Sequence, residues 1–166
     1  AVNAAKRLFG VDGVGVMLAD PDGRLRWAVA SDQRVQLAGD HQEVLAQGPC
    51  QVAFTQGRPV HLRDAGAERA WGEIALLYVD VGLPASLSIP VELPSGPVGT
   101  LDLFARAPQD WHDPDLAAVR AYAGLVAGLL SLAARAEVRG ALASQLQTAL
   151  EHRVAPVAAV AWLRLV

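Results

Sequence analysis

Residues 86–105 carry an alternation that strongly limits how the chain can fold. In an extended segment, successive side chains point to opposite sides. Ser86 and Ser88 therefore share one side of the run SLSIPVEL, with Leu87, Ile89 and Val91 on the other. A Ser95-Gly96-Pro97 turn reverses the chain. In the following run, VGTLDLFA, Gly99, Leu101 and Leu103 share a side opposite Thr100, Asp102 and Phe104. The pair predicts a β-hairpin with one aliphatic face and one face of hydroxyls, a carboxylate and an aromatic ring. The aliphatic face has to be covered by helices. The polar face is either solvated or roofed by another part of the chain.

The rest of the sequence supplies both covers. Residues 1–10 read as the end of a helix stopped by Gly10. A second hairpin follows, VGVMLAD and RLRWAVA around Asp20-Pro21-Asp22-Gly23, with Leu25, Trp27 and Val29 predicted on one buried face. Residues 31–47 have helical spacing through Val35, Val44 and Leu45, and Pro49 opens a short helix, CQVAFTQG. Pro59-Val60-His61-Leu62 reads as a short strand, and residues 63–84 as irregular and helical, with Trp71, Ile74, Leu77 and Tyr78. From Asp113-Pro114 a helical pattern runs to about Ala155, where Pro156 is expected to kink or end it. Leu142, Leu146, Ala149 and Arg153 keep a 4-3-4 spacing, the period of a coiled-coil seam, and Leu150 adds to the same apolar patch. Hairpins with helices kept apart from them predict an α+β domain on one antiparallel sheet.

Composition narrows the function. Of the 166 residues 52% are apolar, enough for a core and unlike a disordered chain. The net charge is −3, and the cations, 13 Arg and Lys6, are scattered, so no nucleic-acid-binding patch is expected. One cysteine, Cys50, allows neither an intrachain disulfide nor a cysteine zinc cluster, which fits a reducing compartment. No secretory leader is expected. The most apolar run, Ala121 to Ala134, is 14 residues long, short of the ~20 that a membrane span needs. A single lysine leaves no GxxxxGK loop, and HExxH, GxSxG and CxxC are absent. The histidines at 41, 61, 112 and 152 stand alone, and His112-Asp113-Pro114-Asp115 reads as a helix cap rather than a metal site. Cys50 reads as a small buried hydrophobe, with a reactive thiol at a helix start as the alternative. Residues 31–84 are too long and too apolar to be a mere connection, so they are expected to fold over the polar face and make it a small-molecule pocket, with residues 45–80 roofing a cavity around Ser86, Ser88, Thr100 and Asp102. The candidate ligand-binding residues are Ser86, Ser88, Thr100, Asp102 and Phe104 on the sheet, with Cys50, Phe54 and Trp71 above. A roofed Asp102 needs donors, and Ser or Thr hydroxyls or an arginine from the roof are expected to supply them.

The runs GVGVMLADPDGRLRWAVASD, EVLAQGPCQVAF, GRPV, SLSIPVELPSGPVGTLDLFAR and WHDPDLAAVRAYAGLVA resemble GAF domains over about residues 1–137. They are most similar to the actinobacterial type found ahead of an ANTAR RNA-binding module, and the Arg-rich, Ala-rich composition suits a GC-rich genome. The resemblance implies a central antiparallel sheet of five to six strands, N- and C-terminal helices on one face and a helical and loop lid over the other. It implies a sensor that binds a small ligand or chromophore and signals through its flanking helices. In the bilin photoreceptors of that family, the positions resembling Ser86 and Ser88 line the pocket. The cyclic-nucleotide pattern of the family is absent, its methionine-sulfoxide reductases need several cysteines, and Cys50 is followed by Gln51 rather than the histidine usual for bilin attachment. SQLQTALEHRV looks like the start of an ANTAR module, but PVAAVAWLRLV does not continue it. The expectation is therefore a cytoplasmic, non-enzymatic regulatory domain at 1–137 and a helical coiled-coil linker at 138–166. Its ligand and cofactor are unidentified, it forms a homodimer through helices, and it makes no membrane contact. Contact with RNA would come only through a module not complete here. The alternatives are an RNA-binding antitermination regulator and a Cys50-based redox sensor or GAF-fold enzyme.

Overall fold

β-Branched and leucine-rich runs bounded by Gly, Pro and Asp turns produce five strands. The computed structural model describes the backbone of residues 2–163 and the side chains of residues 2–148. In chain order these are β1 (Gly13–Ala19), β2 (Leu25–Ala30), β3 (Val60–Leu62), β4 (Ala85–Leu93) and β5 (Gly96–Ala105). They form one antiparallel sheet in the order β2-β1-β5-β4-β3, so the fold is α+β as expected. The helices are α1 (Val2–Phe9), α2 (Gln33–Leu45), α3 (Pro49–Gln56), α4 (Gly72–Asp80) and α5 (Asp113–Leu163), with a single 3₁₀ turn at Arg69–Trp71 before α4. The chain divides into two units, one through Ala127 that contains the sheet and one from Gly128 that continues α5.

Sheet register puts the predicted faces where the alternation placed them. Ser88 lies opposite Asp102, Leu87 opposite Leu103 and Ile89 opposite Leu101. The aliphatic face is covered by α1 and the start of α5. Ala5, Val119, Ala123 and Ala127 are buried, the last three at i, i+4 and i+8 along one helix row. Phe9 meets Tyr122 edge-on with ring centroids 5.6 Å apart. Leu116, Val126 and Leu130, expected in the same contact, are only half-buried.

The opposite face is roofed by α2, α3 and α4, as expected of residues 31–84. Asp32 caps α2, its carboxylate accepting from the backbone N–H groups of Arg34 and Val35. The roof begins earlier than the expected residue 45, because Val35, Ala38 and Gln42 of α2 are already buried.

Three local expectations need correction. Val29 does not share a buried face with Leu25 and Trp27. Val16 pairs with Val29 while Met17 pairs with Trp27, so Ala28 is an extra residue at a β-bulge that turns Val29 to the other face, where it is exposed. The cap of α5 also shifts by one residue. Asp115 accepts from the His112 backbone N–H at 3.0 Å, which makes His112 the cap position and Asp113 the first helical residue. Finally, of the two outcomes expected at Pro156, a kink or an end, the end does not occur: the helix runs through it to Leu163. By length and composition α5 between Asp113 and Thr148 would also suffice to cross a membrane once a charge or two is tolerated, longer than the uninterrupted run suggested. Some of its apolar surface lies inside the first unit through Val119, Ala123 and Ala127.

Trp27 ties the two hairpin strands to the roof. Its indole Nε1–H donates to the Gln36 carbonyl of α2 at 2.8 Å, and the ring fills the space that two glycines leave open. A Cβ at Gly15 of β1 would lie 2.4 Å from the ring, and one at Gly39 of α2 would lie 2.3 Å from it. Gly39→Ala should therefore destabilise by ~1–3 kcal/mol through overpacking, although an alanine in a helix normally gains ~1 kcal/mol over glycine. Urea melts of a double-mutant cycle with Trp27→Leu check this. The alanine should become neutral or stabilising once the indole is gone, and an unchanged penalty would assign the cost to something other than the ring.

Candidate functional site

The polar face is buried in full. Ser86, Ser88, Thr100 and Asp102 are each at most 1% exposed beneath α3 and its neighbours, and Phe104, from the same face, is buried beside them. The hairpin pairing brings Ser88 and Asp102 side by side, while Ser86 pairs with Phe104 and Pro90 with Thr100. Strand periodicity thus delivers four polar groups to one patch, and β1 contributes Gly13, Gly15 and Met17 from the neighbouring strand.

The roof contributes its own polar layer. Gln42 Nε2 donates to the Tyr78 hydroxyl at 2.7 Å. Gln42 Oε1 accepts from the Cys50 backbone N–H at 3.1 Å and from the Cys50 thiol. Gly48, at φ +117, is required by the same layer, since a Cβ there would lie 2.3 Å from Gln42 Oε1. Gln42 and Tyr78 were not among the expected site residues. Tyr78 belongs to the expected roof, and Gln42 follows Val35 by seven residues and Ala38 by four, a helix row that the spacing through Val35, Val44 and Leu45 does not pick out.

Asp102 sets the electrostatics. Thr100 Oγ1–H donates to Asp102 Oδ2 at 2.8 Å, so a hydroxyl serves the carboxylate as expected. No arginine from the roof does so: the ion pairs formed by arginines and Lys6 among the described residues go to Asp12, Asp20, Asp32, Glu43 and Asp110. Burial pushes the carboxyl up to about 6, with the Ser88 and Thr100 hydroxyls pulling the other way. The thiol of Cys50 is pushed well up, first by burial and then by the Asp102 charge. Tyr78 is raised well above its ordinary value by burial, with the Cys50 and Asp102 charges adding to it. Cys50 is thus a neutral, buried thiol packed with Met17 and Leu25, the small-hydrophobe reading, rather than a thiolate at a helix start.

The remaining expected residues lie around this centre. Phe104 meets Tyr78 edge-on at 5.5 Å, and Phe54 packs against the Cys50 cluster. Trp71 packs against the cluster containing Phe104 and also lines a crevice of about 390 Å³ with Gly48, Gln51, Val52 and Gly72. Four crevices on the described surface, the one beside Trp71 among them, have linings that include none of Ser86, Ser88, Thr100 and Asp102. The expectation for those four is a roofed cavity. Instead the roof is seated on them, because Tyr78, Met17, Leu25 and Trp27 fill the space against the sheet. Among the described residues no three His, Cys, Asp or Glu side chains group as metal ligands.

The model of the family described as "GAF domain" matches residues 1–130. The chain belongs to the GAF domain family. No curated protein matches the sequence. Among solved structures, the GAF domain region of a protein from Geobacter sulfurreducens PCA is 22% identical with a TM-score of 0.68, covering 79% of this chain and 88% of that one. The GAF domain of the Acinetobacter phosphoenolpyruvate-protein phosphotransferase is 16% identical with a TM-score of 0.61, covering 80% and 78%. A type II free methionine-R-sulfoxide reductase from Thermoplasma acidophilum is 17% identical with a TM-score of 0.59, covering 77% and 85%. At these identities the likeness is one of fold. The shared sheet and helices are those of GAF domains that serve as sensory and regulatory modules of signalling proteins.

The buried carboxylate makes this GAF domain's stability depend on pH. The folded-state value of about 6 lies above the ordinary 3.8, so the folded state holds the proton more tightly than the unfolded chain. Stability is therefore greatest at low pH on this account, falls as pH rises from about 4 to about 6, and levels off above. The full drop is about 3 kcal/mol at 1.36 kcal/mol per pH unit. Cys50 and Tyr78, which face the same cluster, stay neutral across this range. Asp102→Asn should remove the slope. Its stability relative to the wild type, from denaturant melts at pH 4 and pH 7.5, should rise by up to about 3 kcal/mol over the interval, and a constant difference would show that Asp102 is not titrating there.

Proposed function

We propose that this GAF domain is the small-molecule-sensing part of a cytoplasmic signalling or transcription regulator, acting as a dimer through its helices and catalysing no reaction itself. The observation that carries the reading is the sealed polar patch of Ser86, Ser88, Thr100 and Asp102 at the centre of the sheet. A fold held together by apolar burial has no use for a lone carboxylate there, and the hydroxyls around it are groups that orient a ligand. A neutral, buried Cys50 supports a binding role over a nucleophilic or redox one. The finer assignment, to the actinobacterial type that precedes an ANTAR module, rests on the sequence resemblance and on SQLQTALEHRV as the start of such a module. Mass spectrometry of small molecules released from the purified chain tests the sensor reading. It expects a stoichiometric organic compound retained by the wild type and lost from Asp102→Ala, and it fails if both variants release the same material.

The dimer is supported by the second unit. Leu129, Leu132, Val138, Leu142 and Leu146 are all more than half exposed there, an apolar surface that association would bury. Ala149, Leu150 and Arg153, which extend the seam in the sequence, lie outside the described side chains. Burying a leucine contributes ~1.5–3 kcal/mol, so the two leucines 142 and 146 in each of two chains matter to association. Leu142→Glu with Leu146→Glu should raise the dimer dissociation constant by at least about tenfold in sedimentation equilibrium. Finding the wild type monomeric at high micromolar concentration would remove the dimer from the proposal.

A further inference from the structure

Two of the buried polar atoms without a hydrogen-bond partner, Asp102 Oδ1 and Ser86 Oγ, lie on the same sheet face of adjacent strands. Their surroundings explain why they stay unpartnered. Thr100 is committed to Asp102 Oδ2, and the carbonyl of Gln42 is occupied twice by Cys50. The cations of the described ion pairs are on the surface. What faces Asp102 from the roof is a neutral thiol and a neutral phenol. The patch thus keeps a free carboxylate oxygen and a hydroxyl able to accept, with neutral hydroxyls and a thiol but no cation around them, beside the buried Met17, Leu25 and Phe104.

Gln42 joins this patch to the outside. It lies directly against Gly48, which lines the crevice of about 390 Å³ bounded by α3 and Trp71, and its amide holds Tyr78 and Cys50 together. Because the roof is seated on the patch, a ligand reaching the carboxylate has to displace roof side chains, and Gln42 is the one that lies between Gly48 of the crevice and the buried Tyr78 and Cys50. Resting on the sensor reading above, we propose that the ligand is a compact, largely apolar molecule whose recognised end is a nitrogen bearing N–H donors, an amine, amidine or amino-heterocycle, which Asp102 Oδ1 and Ser86 Oγ accept. The same geometry turns away carboxylates and phosphates, because their charge would meet Asp102 in a site with no cation to offset it.

Three phenyl compounds of matched size test this: benzamidine presents N–H donors, acetophenone a neutral acceptor and benzoate an anionic one. Each is titrated into ¹⁵N-labelled full-length chain at pH 7.5, and the amide resonances of residues 86–88 and 100–103 are followed. Benzamidine should shift them saturably, and Asp102→Asn should weaken it by roughly tenfold to a hundredfold, the worth of a hydrogen bond to a charged group. The same variant, which places an amide where the carboxylate was, should bind acetophenone better than the wild type does. Benzamidine binding unchanged in Asp102→Asn, or shifts no larger than those with benzoate, would overturn the donor assignment. Shifts with acetophenone or benzoate alone would overturn it while leaving the sensor reading in place. If none of the three moves these resonances in a chain whose spectrum is otherwise native, both fail.

Discussion

β5 has to be buried on both faces at once, and the rest of the domain follows from that constraint. It pairs with β1 on one side and β4 on the other, so all its central backbone groups are used within the sheet. Its side chains alternate between Leu101 and Leu103 on one face and Thr100, Asp102 and Phe104 on the other, all of them at most 1% exposed. A strand enclosed in this way needs two separate covers. The chain provides one from its ends, α1 and α5, and one from its middle, α2 to α4. That division explains the long excursion between β2 and β4, which would be wasteful as a connection and is necessary as a roof.

The two covers differ in kind. Over the aliphatic face, small residues in a row bring α5 close, and contact is made by shape alone. Over the polar face the roof must also satisfy hydrogen bonds, and it does so with one side chain. Gln42 meets a helix-start N–H, a thiol and a phenol, all buried, so its amide fixes how α2, α3 and α4 sit with respect to one another. Removing it would leave at least one donor unpartnered in an apolar layer, a larger cost than the loss of one contact. Trp27 does the corresponding work at the other end of the roof, lodged between Gly15 and Gly39.

Much of this was legible in the sequence because it depends on periods. A two-residue period placed Ser86, Ser88, Thr100 and Asp102 together, and Pro, Gly and Asp marked both hairpins. What was not legible depends on single atoms and on register. Nothing in RLRWAVA announces that Ala28 bulges, since the alternation continues in the letters after the pairing has slipped. In QRVQLAGDHQEVL, helical period puts Gln42 on the row of Val35 and Ala38 and Gln36 off it, yet the letters do not say that the Gln42 amide, rather than an apolar side chain, is what this row needs there. An open pocket was expected from the composition of the face and its roof, but composition does not reveal whether a roof rests on the face or stands off it. Here the aromatic and sulfur-bearing side chains are large enough to close the gap.

The closed roof makes Asp102 an energetic anomaly. Each apolar side chain on that face contributes to stability by being covered, whereas the carboxylate loses its water and recovers only the Thr100 and Ser88 hydroxyls. The neighbouring strand positions show what the architecture accepts without difficulty: Leu101 and Leu103 on the same strand fill an equivalent space on the other face with no polar group at all. Replacing buried charge by well-packed apolar groups is often neutral or stabilising in proteins. The fold itself therefore gives no reason for a carboxylate at this point. A departure from local consistency that lowers stability, placed where the sheet and its roof meet, is the pattern expected of a functional site rather than of a core. The hydroxyls of Ser86, Ser88 and Thr100 strengthen the argument, because three more buried polar groups at neighbouring register positions repeat the same departure instead of correcting it.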